Sequence, residues 1–206
     1  MMKKCICIGR EYGSGGREIG EKLADRLQVA CYDKLLLQLS AKESGLSMET
    51  MEKDDEKPAR MNSFLSGNVF ADSANMGNQF YSLNQKIYTS ERNVIEKIAG
   101  RESAVIIGRC ASDIIQQDRR LSVFIYADMK DRLARVAKRN EISEREAALR
   151  IRRIDRMRKQ YFDFNAGSRW GHPESYDLML SSSYYEIHGC IEIILKALEQ
   201  EEQRDE

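Results

Sequence analysis

Residues 9–20, Gly9-Arg10-Glu11-Tyr12-Gly13-Ser14-Gly15-Gly16-Arg17-Glu18-Ile19-Gly20, carry the strongest chemical signal in the chain. They follow the apolar run Cys5–Ile8 and lead into residues 16–27, where Ile19, Leu23, Ala24 and Leu27 recur at helical spacing. Glycines at a strand-to-helix junction let successive backbone N–H groups turn inward on an anion, and the helix N-terminus adds partial positive charge. Gly13, Gly15, Gly16 and Gly20 around Ser14 favour such a phosphate cradle over a turn that merely needs flexible residues. The usual pattern, G-x-x-x-x-G-K-[ST], is only partly met. With Gly15 as the last glycine, Gly16 stands in the Lys place, Arg17 is next, and no Ser or Thr follows, Glu18 standing in that region. Arg17 is therefore the expected side-chain donor to the phosphates, and a metal would draw on Ser14 or Glu18 with the phosphate oxygens.

Two further basic features invite a use. Gly108-Arg109 ends the apolar run Ser103–Ile107, and residues 150–159 hold six positive side chains against Asp155. A surface arginine after a strand-ending glycine competes with a ligand contact at the carboxyl edge of a sheet. For the second, a solvated helix face competes with RNA contact and with arginines that stabilise a transferring phosphoryl group. A dinucleotide fingerprint starting at Gly13 would need its third glycine where Glu18 stands. Asp33, 20 residues beyond Gly13, nevertheless sits where such folds place a ribose-binding acid. Cys5, Cys7, Cys31, Cys110 and Cys190 are an odd set without C-x-x-C spacing, so Cys5 and Cys7 read as small buried hydrophobes on one strand face. His172 and His188 stand alone.

The elements that must position these residues follow from periodicity. Strand runs at 5–8, 29–32, 103–107, 121–126 and 176–180 alternate with helical patterns at 16–27, 85–99, 129–139 and 184–200. Ser143–Glu146 and Ser183–Glu186 have capping-box spacing. Strands apolar throughout and alternating with helices predict a parallel sheet covered on both faces, in one domain over 1–206. Residues 34–102 are too long for one crossover. They begin with an acidic stretch, Glu43 to Lys57, and continue through a segment rich in Asn, Ser and Gly at 60–85, which predicts an inserted subdomain with a mobile portion. The 33 Lys and Arg balance 33 Asp and Glu, which argues against a general nucleic-acid or membrane-surface binder. No apolar run spans a membrane and no signal peptide is legible, so the expected location is the cytoplasm.

Together these features resemble the cytidylate kinase-like family, a branch of the P-loop nucleoside monophosphate kinases. The resemblance rests on residues 10–20, Tyr32-Asp33-Lys34, Ile106-Ile107-Gly108-Arg109-Cys110-Ala111, Val123-Phe124-Ile125-Tyr126-Ala127, Asp155-x-x-Arg158-x-x-Tyr161 and Tyr176-Asp177-Leu178. It implies a P-loop NTPase three-layer α/β fold with a five-stranded parallel sheet, an acceptor-binding helical insertion at 34–102 and an Arg-rich helical lid at about 140–170. It further implies ATP and Mg²⁺, with transfer to a nucleoside monophosphate such as CMP. By resemblance Gly13, Ser14, Gly15, Gly16 and Arg17 hold the ATP phosphates. Arg109 takes the acceptor phosphate, Asp33 stands where the acceptor site begins, and Arg158 comes from the lid with Arg153 or Arg156. Members of the family with Gly-Arg-Asp at the third strand end differ from Gly108-Arg109-Cys110 here. A nucleotide-binding regulator with a degenerate loop, or a kinase for another small acceptor, are the alternative readings.

Overall fold

A computed structural model describes residues 4–47 and 73–202. Chain order is β1 (Cys5–Arg10), α1 (Gly16–Leu27), β2 (Ala30–Tyr32), α2 (Lys34–Ser44), α3 (Ser73–Arg101), β3 (Ala104–Ile107) and a short α4 (Ala111–Ile114). There follow β4 (Arg120–Tyr126), α5 (Met129–Asn140), α6 (Glu144–Asn165), β5 (Leu178–Ser181) and α7 (Glu186–Glu202). The five strands form one all-parallel sheet in the order β2-β3-β1-β4-β5.

Alternation along β1 divides the core. Ile6 and Ile8 meet Ile19 and Leu23 of α1 and Ile191 and Ile194 of α7 on one face. Cys5 and Cys7 meet Leu36 of α2 and Val94 and Ile95 of α3 on the other. Both cysteines are thiols in this packing, and burial pushes both up in pKa. Because both faces are covered, β3 is buried at every position, which is why it reads as an unbroken apolar run. The loops leaving β1 and β3 lead to opposite faces: α1 joins the first core and Ala111 of α4 the second. Neighbouring strands with diverging exits open a crevice at their carboxyl ends, where α/β sheets bind ligands.

The expected strands are present, each shifted by a residue or two. β5 begins at Leu178 rather than Tyr176, because the Tyr176 ring packs on Phe124 (4.9 Å between centroids) and Asp177 caps the neighbouring strand. Its Oδ2 accepts from the Ser122 N–H at 2.7 Å and the Ser122 hydroxyl at 2.6 Å. Two expectations need correction. The helix expected over 85–99 runs Ser73–Arg101, so part of the polar 60–85 segment is helical. Helix propagation from a packed segment adds one hydrogen bond per residue and needs no apolar stripe. The second is the Ser183–Glu186 box: the Ser183 hydroxyl instead accepts from the Asp128 N–H at 2.9 Å, and α7 starts only at Glu186. Most of the acidic stretch, 48–57, and residues 58–72 lie outside the described residues, as does the C-terminal 203–206. No helix among the described residues is long and apolar enough to cross a membrane.

The other capping box forms in full. Ser143 Oγ accepts the Glu146 N–H at 3.3 Å, and Glu146 Oε2 accepts the Ser143 N–H at 2.9 Å. The Ser143 hydroxyl, donating to the same Oε2 at 2.6 Å, and the Ser143 N–H together lower the Glu146 pKa. Replacing Ser143 by Ala should therefore lower unfolding free energy by about 1 kcal/mol, read as a lower urea midpoint at unchanged m-value.

Candidate functional site

The glycine loop emerges from the carboxyl end of β1. Gly13 (φ +84°) and Gly15 (φ +82°) both hold left-handed backbone, which side-chain-bearing residues rarely adopt, and Gly15 is the last residue before α1. Ser14 is fully buried inside the loop. Its hydroxyl donates to the Glu11 carbonyl at 2.9 Å and accepts from the Gly16 N–H at 3.4 Å, and its carbonyl receives the Ser182 hydroxyl at 2.5 Å.

A charge network clamps the same loop from outside. Arg132 of α5, almost fully buried, donates from Nε to the Tyr12 carbonyl at 2.9 Å. It also pairs with Glu11 at 3.1 Å and with Asp155 of α6. Asp155 Oδ1 accepts the Tyr12 N–H at 2.7 Å, and Glu11 Oε2 accepts the Ala127 N–H at 3.1 Å. Burial pushes the Glu11 carboxyl up in pKa, opposed by the Ala127 N–H and by Arg132. Arg135 adds a donor to the Gly13 carbonyl at 3.3 Å. The loop is thus held in shape by α5 and α6 before any ligand arrives.

Beside it, the turn after β3 is left-handed over three residues: Gly108 (φ +79°), Arg109 (φ +58°) and Cys110 (φ +57°). For the two non-glycine residues such backbone costs on the order of 1–3 kcal/mol each. The Arg109 side chain is 3% exposed and its Nη1 meets Glu91 Oε1 of α3 at 2.6 Å. Tyr161 of α6 donates its hydroxyl to the other oxygen of Glu91. Burial and the adjacent Glu91 hold the Tyr161 hydroxyl well above its ordinary pKa. A narrow cleft opens between the end of β1 and the turn after β3, lined among others by Arg10, Arg109, Arg158, Tyr161 and Trp170. Arg158 Nη1 donates to the Arg10 carbonyl at 3.2 Å.

The residues expected to act fall into two groups. Gly13, Ser14, Gly15 and Gly16 build the loop, and Arg109 and Arg158 reach the cleft. Arg17 is half-exposed and directed at Glu21 (2.9 Å) and Asp33 (3.2 Å), so it ties α1 to the end of β2. Arg153 and Arg156 are exposed on α6 and are not among the described residues lining the cleft. Helical geometry explains the split: Asp155, Arg158 and Tyr161, at spacing three, share one face, while 153 and 156 fall on another. Glu91 and Arg132 were not singled out by their surroundings in sequence. Their signal is a charged residue in an apolar register, Glu91 between Ile87 and Ile95 and Arg132 four residues before Val136.

Of the groups the resemblance implies, the loop geometry fits a phosphate chain. The donor set does not fit a protein-held metal. The Ser14 hydroxyl is engaged within the loop, the Glu18 carboxylate meets Lys22 at 2.6 Å, and no cluster of three metal-binding side chains occurs among the described residues. Any Mg²⁺ would have to be carried on a nucleotide's own oxygens, with water completing its shell.

Comparison with known proteins agrees with this geometry. An uncharacterized protein from Eubacterium ventriosum ATCC 27560 superposes with a TM-score of 0.71 at 27% identity, covering 96% of this chain and 99% of that one. Shikimate kinase from Bacteroides thetaiotaomicron shares the fold at a TM-score of 0.51 and 13% identity, over 95% of this chain and 98% of its own. Shikimate kinase from Acinetobacter baumannii in complex with shikimate does so at 0.50 and 13%, over 97% and 94%. No curated protein matches the sequence. The profile of the cytidylate kinase-like family matches residues 5–184, a span that takes in the glycine loop, the Arg109 turn and the α6 face carrying Asp155, Arg158 and Tyr161, and the chain belongs to that family.

Proposed function

We propose that the protein transfers the γ-phosphoryl group of ATP to a nucleoside monophosphate, CMP or a related pyrimidine nucleotide. The observation that carries this reading is the convergence of Arg10, Arg109 and Arg158, from three separate elements, on one cleft beside the glycine loop. Bringing two polyanions into line is opposed by Coulomb repulsion, which cations supplied from several sides offset.

In this reading the loop N–H groups and the α1 N-terminus take the ATP phosphates. Arg109, held rigid by Glu91, takes the acceptor phosphate, and Asp33 marks the start of the acceptor side at α2. The monophosphate is largely dianionic at pH 7, so its oxygen attacks the γ-phosphorus without a dedicated base. A new P–O bond forms to that oxygen, the bond to the β–γ bridging oxygen breaks, and ADP leaves. The protein's contribution is alignment, charge neutralisation and exclusion of water. Arg158 enters from α6; Arg153 and Arg156 take part only if that helix turns over bound substrates.

One feature favours a second reading, a nucleotide-binding regulator without efficient transfer. Gly16 in the Lys place, with no Ser or Thr after it, removes two groups that ordinary P-loops use.

Chromatography of purified protein with ATP, Mg²⁺ and each nucleoside monophosphate decides between them. Equal amounts of ADP and CDP are expected, and ATP binding with no diphosphate from any acceptor would leave the regulator. A wider acceptor panel separates a kinase for another small acceptor. Arg109→Ala should lower kcat/KM for the acceptor by about tenfold or more while the KM for ATP moves little, since one charge-assisted bond to phosphate is lost; equal loss of both would count against the assigned role. Glu91→Ala leaves Arg109 buried without its carboxylate and should cost about 3–5 kcal/mol of stability in denaturant titration, with Glu91→Gln costing less.

A further inference from the structure

An ordinary P-loop carries its cation on the first turn of the following helix, and here that place is Gly16. The structure gives a steric reason. A Cβ on Gly16 would lie 2.6 Å from Arg10 Cβ, 3.3 Å from Arg10 Cγ and 3.2 Å from Ile125 Cβ. These atoms sit close to the backbone and cannot swing away as the tip of a long side chain can. Position 10, the last of β1, and position 16, the first of α1, therefore compete for one volume, and the Arg10 stem holds it.

The rest of the Arg10 side chain runs from that volume toward β3. A Cβ on Gly108 would stand 2.0 Å from Arg10 Nη1 and 3.0 Å from Cζ, so the guanidinium lies against the backbone of the Arg109 turn, where Gly108 already holds left-handed backbone. Its head lies beside Gly108, lining the same cleft as Arg109 and Arg158. Arg17, the next basic residue after Gly16, is directed instead at Glu21 and Asp33.

We propose that Arg10 supplies, from the end of β1, the phosphate-directed cation that a P-loop usually carries at the position of Gly16, so that Gly16 is small in order to seat its stem. A guanidinium there offers a planar fork of donors in place of a point charge, able to span two oxygens of the transferred group. This inference rests on the phosphoryl-transfer reading.

The test uses the full chain in five forms: wild type, Arg10→Gln, Arg10→Gly, Arg10→Gly with Gly16→Lys, and Arg17→Ala. Each is read by thermal midpoint, by calorimetric affinity for ATP and for AMP, and by phosphoryl transfer. Arg10→Gln keeps the stem and removes the charge. It should fold normally, lose about 100-fold in transfer, as deletion of one preorganised transition-state donor does, and bind ATP with a smaller advantage over AMP. Arg10→Gly should behave alike, and adding Gly16→Lys should recover about tenfold or more, because the cation returns to the vacated volume. Arg17→Ala should stay within about fivefold of wild type. Transfer and ATP preference within about threefold of wild type in Arg10→Gln would overturn the proposal while leaving the kinase reading intact. So would an Arg17→Ala loss as large as that of Arg10→Gln, or a folded double variant no better than Arg10→Gly. Wild type that binds no ATP would sink the kinase reading and this inference with it.

Discussion

A buried guanidinium without a carboxylate partner costs several kcal/mol, and the site is organised around meeting that demand at Arg109. Its partner, Glu91, is itself fully buried and comes from α3, while the Tyr161 hydroxyl on Glu91 comes from α6. Satisfying one charge thus fixes two helices against the end of β3. The same contacts hold a turn in which Arg109 and Cys110 both occupy left-handed backbone, an arrangement that persists only where its surroundings overdetermine it. What the ion pair secures is position: a buried arginine held beside the crevice between β1 and β3, with little conformational freedom left.

The second clamp works on the glycine loop. Arg132 and Asp155 bind both backbone groups of Tyr12, so the loop is tied to α5 and α6 through its own amide and carbonyl. Since Asp155 and Tyr161 lie on one face of α6, that helix is anchored at both walls of the cleft, and Arg158 is delivered between the anchors. The i, i+3 spacing of the three residues turns a basic helix with one solvated side into a component of the site. It also accounts for the exposure of Arg153 and Arg156, whose charge serves the solvent-facing surface of the same helix.

The sheet, α1, the glycine loop and the Arg109 turn were legible in the sequence because their signals are local. Apolar runs, helical periodicity and glycine placement each act within a few residues. The Ser143 box was legible for the same reason, whereas the Ser183 box has the same spacing but its hydroxyl is taken by Asp128, 55 residues away in sequence. Glu91 and Arg132 left only a faint trace, a charge in an apolar register, and nothing local says which distant charge each will meet. Arg10 stands inside the glycine-rich stretch, yet nothing local says where its side chain goes. Its relation to Gly16 and Gly108 is a matter of shared volume between the ends of three elements, and adjacency of that kind exists only once β1 lies beside β3.

The neutral total charge of the chain conceals how unevenly charge is placed. With 33 basic and 33 acidic residues overall, the described residues lining the cleft include Arg10, Arg109 and Arg158 and no carboxylate. Cations gathered on one partly dehydrated cavity repel one another, by a few kcal/mol for a pair at close range in an environment of intermediate dielectric. The backbone N–H groups of the neighbouring loop add partial positive charge of the same sign. A fold keeps such a cavity only if packing and ion pairs elsewhere offset the repulsion, which the Arg109–Glu91 and Arg132–Asp155–Glu11 contacts do from behind the cavity walls. On the phosphoryl-transfer reading, a ligand carrying several negative charges relieves the repulsion at the front. On that reading, the same electrostatics favour a polyphosphate over a neutral or singly charged molecule.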